Sequence, residues 1–166
     1  MAKYHLTATG QATVATGDTL ALTTLKYGAL GGNSSTMQLK VYEVAIGGES
    51  SSAAVQQYIF ARDTTVAATS LTSVGLTNAA IDATVTAPGT LALFSNSSTT
   101  FPQRSATAHL IHHSINAFGG YARWQARQGE EISMIGNTQP LGECSYSGGL
   151  ATVAGQVSWH VAYELV

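Results

Sequence analysis

The chain reads as all-β: a single-domain β-sandwich of jelly-roll type with about nine strands. Three observations predict this. Residues 152–165 alternate without a break, with Val153, Gly155, Val157, Trp159, Val161, Tyr163 and Leu165 on one side. Thr152, Ala154, Gln156, Ser158, His160, Ala162 and Glu164 fall on the other. Successive strand side chains point to opposite faces, so this run has one apolar face and one mildly polar face. A two-faced strand of this length must pair, which makes the C-terminal residues part of the fold. The second observation is Val41–Ile46, apolar on both faces as expected inside a sandwich. The third is the regular recurrence of Gly, Asn, Asp and Pro turn signals between short β runs.

The elements follow in order. Residues 3–9 alternate, with Tyr4, Leu6 and Ala8 on one face, and residues 19–27 form a second β run. Gly10 and Gly17-Asp18 punctuate the two, and residues 28–35 make a loop rich in Gly, Asn and Ser. Residues 1–36 either supply the first strands of the sandwich or form an arm; residues 37–166 are the sandwich domain. Met37–Ile46 is a strand that Gly47-Gly48 should end. Val55–Arg62 fits a helical stripe through Val55, Tyr58, Ile59 and Arg62, but its aromatic content and its neighbours favour a strand. Residues 63–89 read as a long crossing loop with one helical turn near Asn78–Asp82. Pro88-Gly89 is a turn, Leu91–Ser95 a short strand and residues 96–100 a polar loop. Ser105–Ile115 reads as a strand and Asn116–Gly120 as a turn. Tyr121–Arg127 alternates, with Tyr121, Arg123, Gln125 and Arg127 opposite Ala122, Trp124 and Ala126. Gln128-Gly129 then reads as a tight turn that pairs Glu130–Ile135 back as a hairpin. Gly136–Pro140 turns again before a short strand over Leu141–Tyr146.

A chain of 166 residues is one domain by length and can bury a core without disulfides or metal. Charged residues are only 10%, against roughly 25% in ordinary soluble domains. Ser and Thr supply the polarity instead, 37 residues in all. Such a surface suits a protein packed against copies of itself or a partner; a Thr-rich β-domain of ordinary habit is the plainer reading. Net charge is −2 and the nearest approach to a basic cluster is Arg123 and Arg127, with Arg104 upstream, so no stripe for nucleic acid is expected. No apolar run approaches the roughly 20 residues of a membrane span. Residues 1–6 lack the apolar stretch of a signal peptide, and Cys144 is the single cysteine, which fits a reducing cytoplasm.

Candidate chemistry is thin. His109, His112 and His113 would share a face on a helix and could bind metal there. On a strand, His109 and His113 share one face and His112 takes the other, and Leu110, Ile111 and Ile115 argue for the strand. The adjacent His112-His113 pair does not match the H-x-H spacing of cupin metal centres. Asp18, Asp63 and Asp82 each sit in a predicted turn or loop, where turn formation explains them. There is no G-x-S-x-G elbow. Glu130-Glu131 looks like a carboxylate pair but follows Gly129 at a turn, where exposed acids are common. Cys144 reads as a strand cysteine. Gly31-Gly32 and Gly47-Gly48 lack the helix and Lys of a phosphate loop. Trp124, Trp159 and Tyr163 could form a sugar platform, yet they share faces with Val and Leu, so core packing is the better reading. Asn33-Ser34-Ser35 and Asn96-Ser97-Ser98 match the glycosylation pattern by chance. No catalytic, cofactor-binding or metal residue is assigned, and no enzyme is expected.

Several stretches taken together carry a likeness. They are residues 41–48 (VYEVAIGG), 58–65 (YIFARDTT), 80–83 (AIDA), 123–132 (RWQARQGEEI) and 157–164 (VSWHVAYE), in that order. This series resembles the decoration, or cement, proteins of tailed bacteriophages, β-sandwiches that sit on the capsid, over residues 37–166. The chain departs from the typical pattern in carrying Gln128 where a Pro precedes the turn Gly, and Glu164-Leu165 where an acidic pair closes the chain. The resemblance implies binding to the outside of an icosahedral shell, commonly as a homotrimer, with the major capsid protein as partner and no catalytic residues. It implies a virion protein made in the host bacterial cytoplasm, with no cofactor, nucleic acid or membrane. The alternative is a carbohydrate- or receptor-binding sandwich, such as a head-fibre tip, using Tyr121, Tyr146 or Trp124. A jelly-roll metalloenzyme using His109, His112 or His113 and a major shell subunit are further readings.

Overall fold

A computed structural model describes residues 3–12, 28–31, 38–63, 76–85, 92–95, 104–135, 143–148 and 156–166. These residues are all-β and fall into antiparallel sheets. The strands are β1 (Lys3–Ala12), β2 (Gly28–Gly31), β3 (Gln38–Glu49), β4 (Val55–Asp63), β5 (Leu76–Ala80), β6 (Ala92–Ser95), β7 (Arg104–Asn116), β8 (Phe118–Gln125), β9 (Ile132–Ile135), β10 (Glu143–Gly148) and β11 (Gln156–Leu165). One sheet has the order β5-β1-β11-β3-β8, with β9 also on β3; the other has the order β6-β2-β10-β4-β7. The pairings nest: β1 and β2 at the start pair with β11 and β10 at the end, and β4 pairs with β7.

One core serves both sheets. Tyr4, Leu6, Leu39, Val41, Val44, Ile46, Val161 and Tyr163 of the first sheet join Tyr58, Phe60, Ile111 and Ile115 of the second in a single buried cluster. The alternation over 157–163 is used as the pattern requires, with Val157, Trp159, Val161 and Tyr163 all buried. Tyr4 and Tyr163 lie directly opposite each other on β1 and β11 and stack with ring centroids 5.5 Å apart. Gln56 is buried on the inner side of β4, and its side-chain carbonyl accepts the Tyr58 hydroxyl proton two residues on.

Several expectations change. Among the described residues eleven strands stand where about nine were expected: β5 falls in the expected crossing loop and β2 inside the expected Gly-rich loop, whereas β6 lies where the short strand over Leu91–Ser95 was expected. Asn78 lies in β5, not in a helical turn; β5 pairs with β1, which draws it into the sheet. Asp82 does form a turn, accepting the Thr84 amide at 2.9 Å and the Thr84 hydroxyl at 2.7 Å. Asp63 is the last residue of β4, not a loop residue. The expected runs over residues 19–27, 88–89, 96–100 and 136–140 lie outside the described residues.

β3 does not stop at Gly47-Gly48 but continues to Glu49. The reason is steric. The chain passes from β7 in one sheet to β8 in the other through the single residue Ala117, which is buried against Gly48. A Cβ on Gly48 would stand 2.3 Å from the Ala117 carbonyl oxygen. The corner is pinned by the Ala117 amide on the Ala54 carbonyl at 2.8 Å and the Ser50 amide on the Ala117 carbonyl at 2.9 Å. Gly48 is thus a site of close backbone approach rather than a strand breaker.

The expected hairpin of Tyr121–Arg127 with Glu130–Ile135 does not form. β8 runs along Glu43–Glu49 and β9 along Gln38–Val41, so both pair with β3 end to end. The turn between them steps aside from one edge. It closes through the Glu130 amide on the Arg127 carbonyl at 3.0 Å, with Gly129 at φ 87°.

Two outcomes follow. Leu6 is fully buried, so Leu6→Ala should lower the free energy of unfolding by about 2–5 kcal/mol in a denaturant titration; a detachable arm would show no loss. Gly48→Ala should cost at least roughly 1–3 kcal/mol in the same measurement, because the obstacle is backbone. For Gly47→Ala the tightest contact is the flexible Ser158 hydroxyl, at 3.4 Å, with the next atoms at an ordinary 3.9 Å, and the change should be nearly neutral.

Candidate functional site

The outer face of the β1-β11-β3-β8 sheet gathers the best-defined polar constellation among the described residues. It depends on one irregularity in β3. Leu39 and Val41 point into the core, and strict alternation would send Glu43 after them. The register shifts instead: Ala162 pairs with Glu43 and Tyr163 with Val41, leaving Tyr42 as the extra residue of a β-bulge. Tyr42 and Glu43 then both face outward, and Val44 and Ile46 return to the core. A buried lone carboxylate is avoided at the cost of one kink.

Cross-strand register assembles the rest. Thr7, His160, Ala45 and Arg123 lie in one row across four strands. His5, Ala162, Glu43 and Gln125 form the adjacent row. Glu43 therefore sits diagonally between His160 and Arg123. Its Oε2 accepts from the Arg123 guanidinium at 2.5 Å, and its Oε1 lies 2.7 Å from His160 Nε2. The His5 ring is 5.9 Å from that of His160. Lys3 Nζ sits 5.0 Å from the centre of the Tyr42 ring. Partial burial pushes the Glu43 carboxyl up, but the hydrogen bonds and charges of Arg123 and His160 outweigh it and hold the pKa below the usual range. Arg123 is shifted up by the same partner. Burial, then the charges of Glu43 and Glu164, pushes the Tyr42 phenol up.

Beside this cluster lies an open depression of 180 Å³ lined by Thr7, Ala45, Ile46, Gly47, Tyr121, Ser158, Trp159 and His160. Ser158, Gly47 and Tyr121 form the next row of the same face. Ala45 and Gly47 make its floor low, and Tyr121, 63% exposed, stands at its side.

The histidines of β7 do not converge. Phe60 pairs with Ile111 but Ala61 with His109, so Leu110 is bulged. The bulge breaks the expected parity of His109 and His113. His113 is buried in line with Ile111 and Ile115, while His109 and His112 are exposed. Among the described residues no three His, Cys, Asp or Glu side chains come together as a metal-ligating group. Glu131 braces the Arg127–Glu130 turn, its Oε1 accepting the Gly129 amide at 3.0 Å; that bond holds its pKa low. Trp159 and Tyr163 are core residues and Trp124 packs partly buried against the core. Cys144 and Tyr146 lie on β10, opposite Arg62 and Phe60. Asp18 lies outside the described residues. Glu43 escaped the sequence reading, although a Glu in core phase between Val41 and Val44 is itself the signature of a bulge.

Comparison with protein-family models, with curated proteins and with solved structures gave no match. The likeness to capsid decoration proteins thus stands on the quoted residues alone.

Two pH effects follow. Burial, and secondarily the charge of His112, pushes the His113 pKa below its ordinary 6.5. The unfolded chain takes up that proton first, so this contribution is complete above about pH 6.5 and is lost as pH falls toward the folded value. His113→Gln should flatten the decline in melting temperature between neutral pH and pH 5. Glu43 has the carboxylate sign: its contribution is present above the ordinary 4.5 and lost on acidification through the lower folded value. Glu43→Gln should cost up to about 1 kcal/mol at neutral pH, less in high salt, when unfolding is followed by circular dichroism.

Proposed function

We propose that this protein is a structural component of a phage virion, a decoration protein that binds the outer surface of the capsid and stabilises the shell by bridging major capsid proteins. It acts as a homotrimer on a shell assembled in the bacterial cytoplasm. The observation that carries this reading is the strand order. Leaving out β5, β6 and β9, the sheets run 1-11-3-8 and 2-10-4-7, and consecutive strands from β1 to β4 alternate between them. This order supports reading the fold as a jelly roll, an architecture used by viral capsid domains, lectins and cupins. β5 and β6 extend its two sheets by one strand each, beside β1 and β2.

Two further features support a role in holding rather than in catalysis. The Glu43 carboxylate is closed off by Arg123 and His160 and its pKa is lowered, the opposite of what a general acid needs. The β7–β8 corner presents Phe118 at 62% and Val55 at 70% exposure, with Asn116 opposite Val55. Apolar groups at such a tip suit burial against a partner. Many copies on one shell convert weak single contacts into firm attachment.

Light scattering coupled to size exclusion should report a trimer, and the protein should co-sediment with expanded capsids. Phe118→Asp combined with Val55→Asp should reduce co-sedimentation at least about tenfold, with the melting temperature nearly unchanged because both side chains are exposed. A monomer that ignores capsids at micromolar concentration would sink the reading.

A further inference from the structure

We propose that the depression beside Tyr121 is a carbohydrate subsite that takes one neutral pyranose ring. Its volume of 180 Å³ falls below the roughly 300–1,000 Å³ of pockets for drug-sized ligands and suits a single ring. The lining has the two parts such a ligand needs. Tyr121 is exposed and supplies an aromatic surface for the C–H face of a sugar. Ser158 and His160 in the lining supply a hydroxyl and an imidazole for its hydroxyls.

The Glu43 cluster adds orientation. With the carboxylate ionised, its bond to His160 Nε2 favours the tautomer that carries hydrogen on that nitrogen. Nδ1 then remains for a ligand hydroxyl, as an acceptor in the neutral ring and a donor in the protonated one. Arg123 holds the other carboxylate oxygen, so Glu43 is fixed from two sides. The local charges largely balance, which favours a neutral sugar over an acidic one.

The space itself comes from Gly47. A Cβ there would stand 3.4 Å from Ser158 Oγ and 3.9 Å from Tyr121 Cδ2, so any side chain grows between the aromatic wall and the hydroxyl. The tightest of these contacts is with a side-chain atom, Ser158 Oγ, and the nearest backbone atom, the Gly120 carbonyl oxygen, lies at an ordinary 3.9 Å.

The inference is independent of capsid binding and is tested separately. The full chain, labelled with ¹⁵N, is titrated with glucose, galactose, mannose, N-acetylglucosamine and their methyl glycosides, and a glycan array is probed in parallel. One ring of this size should bind with an affinity of about 1 mM and shift the amides of Gly47, Tyr121, Ser158 and His160. Tyr121→Ala and Gly47→Val should each weaken the response at least about tenfold while the melting temperature and the remaining spectrum stay in place. Silence toward every sugar, or a response that both variants leave unchanged, overturns the proposal. Loss of capsid co-sedimentation in Gly47→Val, with no sugar response in the parent chain, assigns the depression to a protein partner and overturns it as well.

Discussion

The fold depends on β11 lying between β1 and β3. Through that placement the last described strand is hydrogen-bonded on both sides to strands from the beginning of the chain. Tyr163, Val161, Trp159 and Val157 fill the core from this central position, and Leu6, Leu39, Val41 and Val44 pack with them. Pairings so distant in sequence form only after a large loop has been closed, and apolar burial must compensate for that loss of entropy. The other sheet repeats the device with β10 between β2 and β4.

The outer face follows from the inner one. Tyr42 is bulged so that Val44 and Ile46 can rejoin the core, and the same bulge brings Glu43 out toward Arg123 and His160. Small residues on the outer side of β3, Ala45 and Gly47, leave room where large ones would have met Tyr121. The electrostatic cluster and the depression are two effects of one strand's sequence. Packing has set the position of every group that faces solvent there.

Much of this was legible from residue patterns, and the remainder was not for identifiable reasons. Period-two alternation marked β1, β8 and β11 correctly because each has one face in the core. It failed wherever parity changed inside a strand: Tyr42 in β3 and Leu110 in β7 shift the register, and the side chains beyond each bulge take the faces that a simple count denies them. Gly47-Gly48 looked like a terminator because sequence does not reveal that another backbone crosses there. The supposed hairpin at Gln128-Gly129 had the correct turn chemistry but the wrong partner, since pairing of both arms with β3 is a tertiary choice. The candidate site was hardest to foresee. Glu43, Arg123 and His160 are far apart in the chain and meet only through the register of three strands.

The nested pairing has a consequence for how the protein is made. During synthesis β1 to β4 leave the ribosome with none of their β7, β8, β10 or β11 partners, and they alternate between sheets that do not yet exist. The innermost pair, β4 with β7, is the first of the nest that can form, and the pairs then close outward. β1 receives its second neighbour only when the residues of β11 have emerged. Until then Tyr4, Leu6, Val41 and Val44 have no finished core to enter. Until the residues of β11 emerge, the nascent chain therefore carries an open, apolar sheet precursor whose exposed strand edges are guarded by little charge.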